Sequence, residues 1–118
     1  MDPFPEEWEL LAFFESEPVI LDPGIPWRYN ELRFETRRGG DTFHCVIVGD
    51  YGRIKFQWWY RDELRVDLNL NWVRGMTIAN GGGRDAMTLS FRDAYLLDLE
   101  LQLRPHVCIQ WGTDTTLP

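Results

Sequence analysis

The sequence has few of the residues from which metal centres and disulfide frameworks are built. It contains two histidines, His44 and His106, and two cysteines, Cys45 and Cys108. Both cysteines lie in predicted strands, so we expect them to be reduced and buried. His44 and Cys45 face opposite sides of a strand, so at most three of the four residues could converge on one ion. The sequence therefore predicts no metal site and no cofactor.

Signatures of other catalytic sites are also missing. Neither serine lies in a G-x-S-x-G elbow, and the glycine-rich stretch 80–85 lacks the Gly-Lys-Ser/Thr of a phosphate-binding loop. An enzyme would have to use carboxylates, for which Asp67 with Asp98 or Glu100 is the candidate set. Because arginines such as Arg65 are expected beside them, we interpret these acids as solvated surface.

Long apolar runs are absent too. No stretch approaches the roughly 20 apolar residues needed to span a bilayer, and the acidic start lacks the features of a secretion signal. We therefore expect a cytoplasmic protein. Its 118 residues, 44% hydrophobic and 14% aromatic, predict a single domain, 1–118.

The net charge of −7 is unevenly distributed. Residues 1–35 carry nine acids against Arg28 and Arg33, whereas the remaining ten acids and ten bases balance. This first third of the chain would repel nucleic acid and anionic membranes and attract a basic surface. The alternative is that the charge only keeps the protein soluble.

Residues 5–15 have the pattern of a short helix with one wide apolar side. Pro5 suits a first helical turn, Glu6 and Glu7 lie where the helix dipole favours acids, and Pro18 ends the helix. We expect the apolar side to pack on a sheet.

From residue 29 onward the apolar residues alternate with polar ones, which is typical of strands with one buried face. Eight strands are predicted, at about 29–36, 42–48, 53–60, 64–73, 76–79, 86–92, 95–103 and 106–111, followed by a tail, 112–118. Their short connections predict an antiparallel meander. We therefore predict a mainly β (α+β) fold, with a single curved sheet or small barrel and the helix packed on it. A sandwich is also compatible with the pattern.

The inward positions of these strands are almost all large, so we expect a filled interior instead of a ligand cavity. They are Phe56, Trp58, Leu68, Leu70, Trp72, Leu89, Phe91, Leu99 and Leu101. In the stretch 66–72 the outward positions are the polar residues Asp67, Asn69 and Asn71.

The pair Trp58 and Trp59 requires one tryptophan to face away from the core. We predict that Trp59 does so, on the same face as Arg53 and Lys55. An exposed tryptophan among long polar side chains is typical of a protein-binding hot spot or a sugar-stacking platform. Alternatively, the segment around Trp27 covers it.

The run "PWRYNELRF" from Pro26 to Phe34, the strands that follow and the closing "VCIQW" resemble the small bacterial immunity proteins found beside polymorphic toxins. The resemblance implies a cytoplasmic inhibitor that binds and blocks one cognate toxin, often a nuclease. It contains no motif from which functional residues can be transferred.

We therefore expect a non-enzymatic, immunity-type inhibitor of a basic protein such as a toxin or nuclease, with no nucleic-acid or membrane partner. The alternatives are a β-barrel that binds a small ligand or carbohydrate and a carboxylate-based hydrolase. The predicted partner-binding residues are Glu6, Glu7, Glu9, Arg53, Lys55, Trp59, Asp67, Asn69 and Asn71.

Overall fold

The structure is a computed structural model that describes residues 1–114 and 116. These residues form one α-helix, one 3-10 helix and nine strands. The helices are α1 (Glu7–Phe14) and the 3-10 helix Trp27–Tyr29. The strands are β1 (Val19–Ile20), β2 (Glu31–Arg38), β3 (Asp41–Val48), β4 (Arg53–Tyr60), β5 (Glu63–Leu70), β6 (Val73–Gly81), β7 (Arg84–Phe91), β8 (Leu99–Arg104) and β9 (Cys108–Gln110). Within the described part of the chain, no helix is long and apolar enough to cross a membrane.

The strands form two antiparallel sheets in sequential order, β1 to β5 and β6 to β9. The predicted mainly β architecture with one short helix is confirmed, and the strands form two sheets instead of the single sheet or barrel that the alternation favours. The extended stretch predicted at 64–73 is interrupted after Leu70, and Trp72 has a positive φ of 60°. A tryptophan in this left-handed conformation ends the extended backbone, so Trp72 is exposed instead of facing the core.

The chain divides into two compact units. The first comprises residues 14–71 and contains the five-stranded sheet. One face of this sheet is buried, with Phe14 stacked on Phe34 at a centroid distance of 4.3 Å. The other buried apolar side chains of this unit are Leu32, Phe43, Cys45, Ile47, Ile54, Phe56 and Leu70.

The second unit comprises residues 1–13 and the chain from Trp72 onward. Its four-stranded sheet buries apolar side chains from β6, β7 and β8, which include Met76, Leu89 and Leu101. Leu99 and Phe91, also predicted inward, are buried as well.

Strand β8 begins at Leu99, later than the predicted start at 95. The Asp93 side chain accepts a hydrogen bond from the Tyr95 backbone N–H at 2.9 Å, which stabilises a turn before the strand. Of the predicted tail, 112–114 run beside 95–97, with the Leu97 N–H donating to Gly112 O at 3.0 Å. Residues 115, 117 and 118 lie outside the described residues.

Candidate functional site

The six predicted contact residues of β4, β5 and the position just after β5 lie in the five-stranded sheet or directly beside it. Strand register places Lys55 opposite Asn69, and Gln57 opposite Asp67. Arg53 and Trp59 follow the same alternation along β4, whose Ile54 and Phe56 are buried. We call the solvent-facing side of this sheet the outer face.

A cavity of about 550 Å³ opens on the outer face, and we call it the outer cavity. Four of the predicted residues line it, namely Arg53, Lys55, Asn69 and Asn71. The half-buried side chains of Val46 and Val48 provide an apolar part of its wall. The predicted residues Trp59 and Asp67 lie on the outer face but do not line this cavity.

The outer cavity carries more positive than negative charge. Its lining contains three cations, Arg33, Arg53 and Lys55, and a single carboxylate, Glu31. Arg33 is paired with Glu31 at an N–O distance of 3.1 Å. Arg53 and Lys55 are exposed, and neither forms an ion pair with any residue that the structure describes. Two cations are therefore available to a ligand.

Tyr51 lies beside the outer cavity and is 71% exposed. The Arg53 guanidinium lies over its ring, 5.9 Å from the centroid. This contact is a cation–π arrangement, and tyrosine and arginine are both frequent at protein-binding hot spots. Sequence reasoning missed Tyr51, although an aromatic residue in the turn "GDYG", two positions before Arg53, was the available signal.

Trp59 is half-buried, and its ring meets His44 edge-on at 4.9 Å. The β4–β5 pairing shifts register between Trp58 and Trp59, as it does at a β-bulge. The Trp58 side chain is fixed separately, because its Nε1–H donates to Asp41 Oδ1 at 2.9 Å. The alternative cover, Trp27, lies edge-on to the inner-face residue Phe34.

The three predicted acids at the start of α1 belong to the other unit, and they differ from one another in exposure. Glu6 and Glu7 are exposed. Glu9 is half-buried, and its Oε1 accepts a hydrogen bond from the Glu6 backbone N–H at 3.0 Å. This is the return half of a capping box, so Glu9 stabilises the start of α1.

The carboxylates considered for catalysis do not share one sheet. Asp67 lies on β5 and accepts a hydrogen bond from Gln57 at 3.3 Å. Glu100 lies on β8 and pairs with Arg84, and Asp98 comes just before that strand.

The histidines and cysteines also occupy separate environments. Cys45 is buried on β3, and burial raises the pKa of its thiol to about 12. The prediction that Cys108 is buried is wrong, because this residue is exposed on β9. His44 lies on the outer face, with its Nε2 3.8 Å from Glu35 Oε1. Across residues 1–114 and 116, no group of three or more His, Cys, Asp or Glu side chains is arranged to hold a metal ion.

No protein-family model and no curated protein matches the chain. Among solved structures, the fold is similar to a chain of a contact-dependent growth inhibition toxin–immunity protein complex from Klebsiella pneumoniae 342. The TM-score is 0.77 at 21% sequence identity, and the match covers 94% of this chain and 96% of that chain. The resemblance to toxin–immunity systems predicted from the sequence is thus confirmed at the level of the fold.

Proposed function

We propose that this chain is a non-enzymatic immunity-type inhibitor, which binds one toxin protein and blocks it. The observation that carries the proposal is the outer face of the five-stranded sheet. There, Arg53 and Lys55 are exposed in the lining of a concave surface, and the exposed Tyr51 ring lies against Arg53. The fold of a chain from a toxin–immunity complex supports the same assignment.

The inner face of the sheet supports binding by the outer face in preference to a ligand-holding barrel. Phe43, Ile47 and Phe56 are almost completely buried there. Close-packed aromatic and branched side chains fill this face, so the outer cavity is the candidate binding surface of the five-stranded sheet.

We also propose that the partner has a basic surface and is met in the cytoplasm. The support is the net charge of −7 together with the exposed Glu6 and Glu7. Opposite charges accelerate the encounter of two proteins without requiring a large contact area.

The test is a growth assay with the protein encoded beside this chain. Expressed alone, that protein should stop growth of a bacterial culture, and co-expression of this chain should restore it. The two purified proteins should form a stable complex. If this chain itself arrests growth and the neighbouring protein relieves the arrest, the roles are reversed and the proposal is wrong.

A variant connects the protection to the outer face. Tyr51→Ala combined with Arg53→Ala should weaken both protection and complex formation. The matched control is Tyr95→Ala with Arg92→Ala, which removes an exposed tyrosine and arginine from the other unit. Equal loss of protection in both variants would contradict a role for the outer face.

A further inference from the structure

We propose that the outer cavity receives an acidic segment of the partner protein, with Arg53 and Lys55 binding its carboxylates. This inference rests on the proposed function, because it specifies which part of the toxin is held. It also requires that the partner carry both an acidic segment and a basic surface, because the acids of α1 are proposed to attract a basic surface.

The first argument is the charge of the outer cavity. Arg33 is neutralised by Glu31, so Arg53 and Lys55 supply its uncompensated charge. Because they are two positions apart on β4, their Cα atoms lie about 7 Å apart on one face. Carboxylates of an extended segment have the same spacing at alternate residues, and each can meet one cation.

The second argument is the apolar wall. Val46 lies directly opposite both Lys55 and Arg33 in the sheet, and Val48 lies opposite Arg53. Each cation therefore has a valine beside it. This arrangement fits a segment in which acidic and apolar side chains are both directed at the cavity, because the apolar groups displace water around the charge pairs.

The overall charge favours an acidic protein segment over a nucleic acid as the occupant. A polyanion would be repelled at long range by the net charge of −7. A protein can combine a short acidic segment with a basic surface elsewhere. The cations of the cavity then fix the register of the bound acidic segment and disfavour proteins that lack such a segment.

The test is an amide NMR titration of the folded chain with three probes. The first is a short capped peptide of alternating glutamate and valine, and the second is the same peptide with glutamine in place of glutamate. The third is a short oligothymidine. We expect the acidic peptide to shift the amide signals of Arg53, Lys55 and Asn69 in a saturable manner, while the other two probes leave them unchanged.

Arg53→Gln with Lys55→Gln should weaken binding of the acidic peptide by about tenfold, because two exposed charge pairs are lost. Arg37→Gln with Arg65→Gln is the matched control, with the same charge change in the same sheet but outside the cavity. The spectra of both variants also report whether they are folded.

Three results would overturn the inference. They are the absence of shifts with the acidic peptide, equal shifts with the glutamine peptide, and stronger binding of oligothymidine. Failure of the proposed function can be distinguished from failure of this inference, because the proposed function is tested by the growth assay and not by the peptide titration. If Arg53→Gln with Lys55→Gln keeps full protection and full toxin affinity, the cavity assignment is wrong while the inhibitor function stands.

Discussion

Thr36, a buried residue of β2, donates a hydrogen bond from its hydroxyl to the carbonyl oxygen of Phe14, the last residue of α1. The last carbonyls of a helix lack partners within the helix. The Thr36 hydroxyl thus provides a hydrogen-bond donor for a carbonyl at the C-terminal end of α1. Phe34, two positions before Thr36 on β2, stacks on the Phe14 ring.

We expect Thr36→Val to lower the free energy of unfolding by about 1–2 kcal/mol, because it leaves the buried Phe14 carbonyl without this donor. Denaturant unfolding followed by tryptophan fluorescence measures the change. Thr77→Val is the control, since Thr77 is exposed on β6 and should shift stability by less than about 0.5 kcal/mol. Equal effects of the two substitutions would show that the helix-end bond contributes nothing.

The two cysteines should react at very different rates in the native protein. Cys108 is exposed, whereas Cys45 is buried with a thiol pKa raised to about 12, so Cys45 has almost no thiolate at neutral pH. A thiol reagent should therefore label one site in the native chain and two after denaturation. Cys108→Ser should abolish native labelling, and rapid labelling that survives this substitution would contradict the burial of Cys45.

The raised pKa of Cys45 also predicts a loss of stability in alkali. Its ordinary value is 9.0, so above about pH 9 the unfolded chain releases a proton that the folded chain retains until about pH 12. The folded state then binds more protons, and the free energy of unfolding falls as pH rises. In Cys45→Ala the free energy of unfolding should decline less steeply between these two pH values. An unchanged slope would show that other groups cause the decline.

The proposed electrostatic steering by the acids at the start of α1 can be tested without removing the residue that caps this helix. We expect Glu6→Lys with Glu7→Lys to slow association with the proposed toxin partner and to flatten the salt dependence of the association rate. Glu9 is left in place because it caps the helix. Glu63→Lys with Asp98→Lys makes the same change in net charge at other exposed positions. If stopped-flow rates fall equally in both variants, total charge matters and the position of α1 does not.

Tyr51 should act as a hot spot that contributes to binding and little to folding. Because its side chain is 71% exposed beside Arg53, Tyr51→Ala should reduce affinity for the proposed toxin partner about tenfold or more and leave thermal stability nearly unchanged. Tyr95→Ala, at 55% exposure in the other unit, is the control. Calorimetric titration measures the affinity of each of the two variants for the partner. Unchanged affinity in Tyr51→Ala would remove this residue from the contact.

The faces of β4 could be predicted from sequence because side chains alternate strictly along a strand. Ile54 and Phe56 are buried, and Arg53 and Lys55 are exposed, as the period of two requires. Strand existence and the antiparallel meander follow from the same pattern and the short turns. These features depend only on neighbours in the chain.

Other features depend on contacts that local patterns do not contain. Trp72 has a left-handed backbone although it is neither glycine nor asparagine, so the sequence does not mark the break between the two sheets, and the alternation favours a single sheet over two. Cys108 is exposed because β9 is a short strand at the edge of its sheet. The outer cavity requires the register of β2 to β5, which brings residues such as Arg33 and Asn69 to one surface.

The alternation along β4 separates the residues that hold the strand in place from those available for recognition. Replacing Arg53 or Lys55 alters the outer face without touching Ile54 or Phe56, which anchor the strand from below. A substitution at either of these two positions is therefore expected to change what the outer face can bind while the buried face of the strand stays intact.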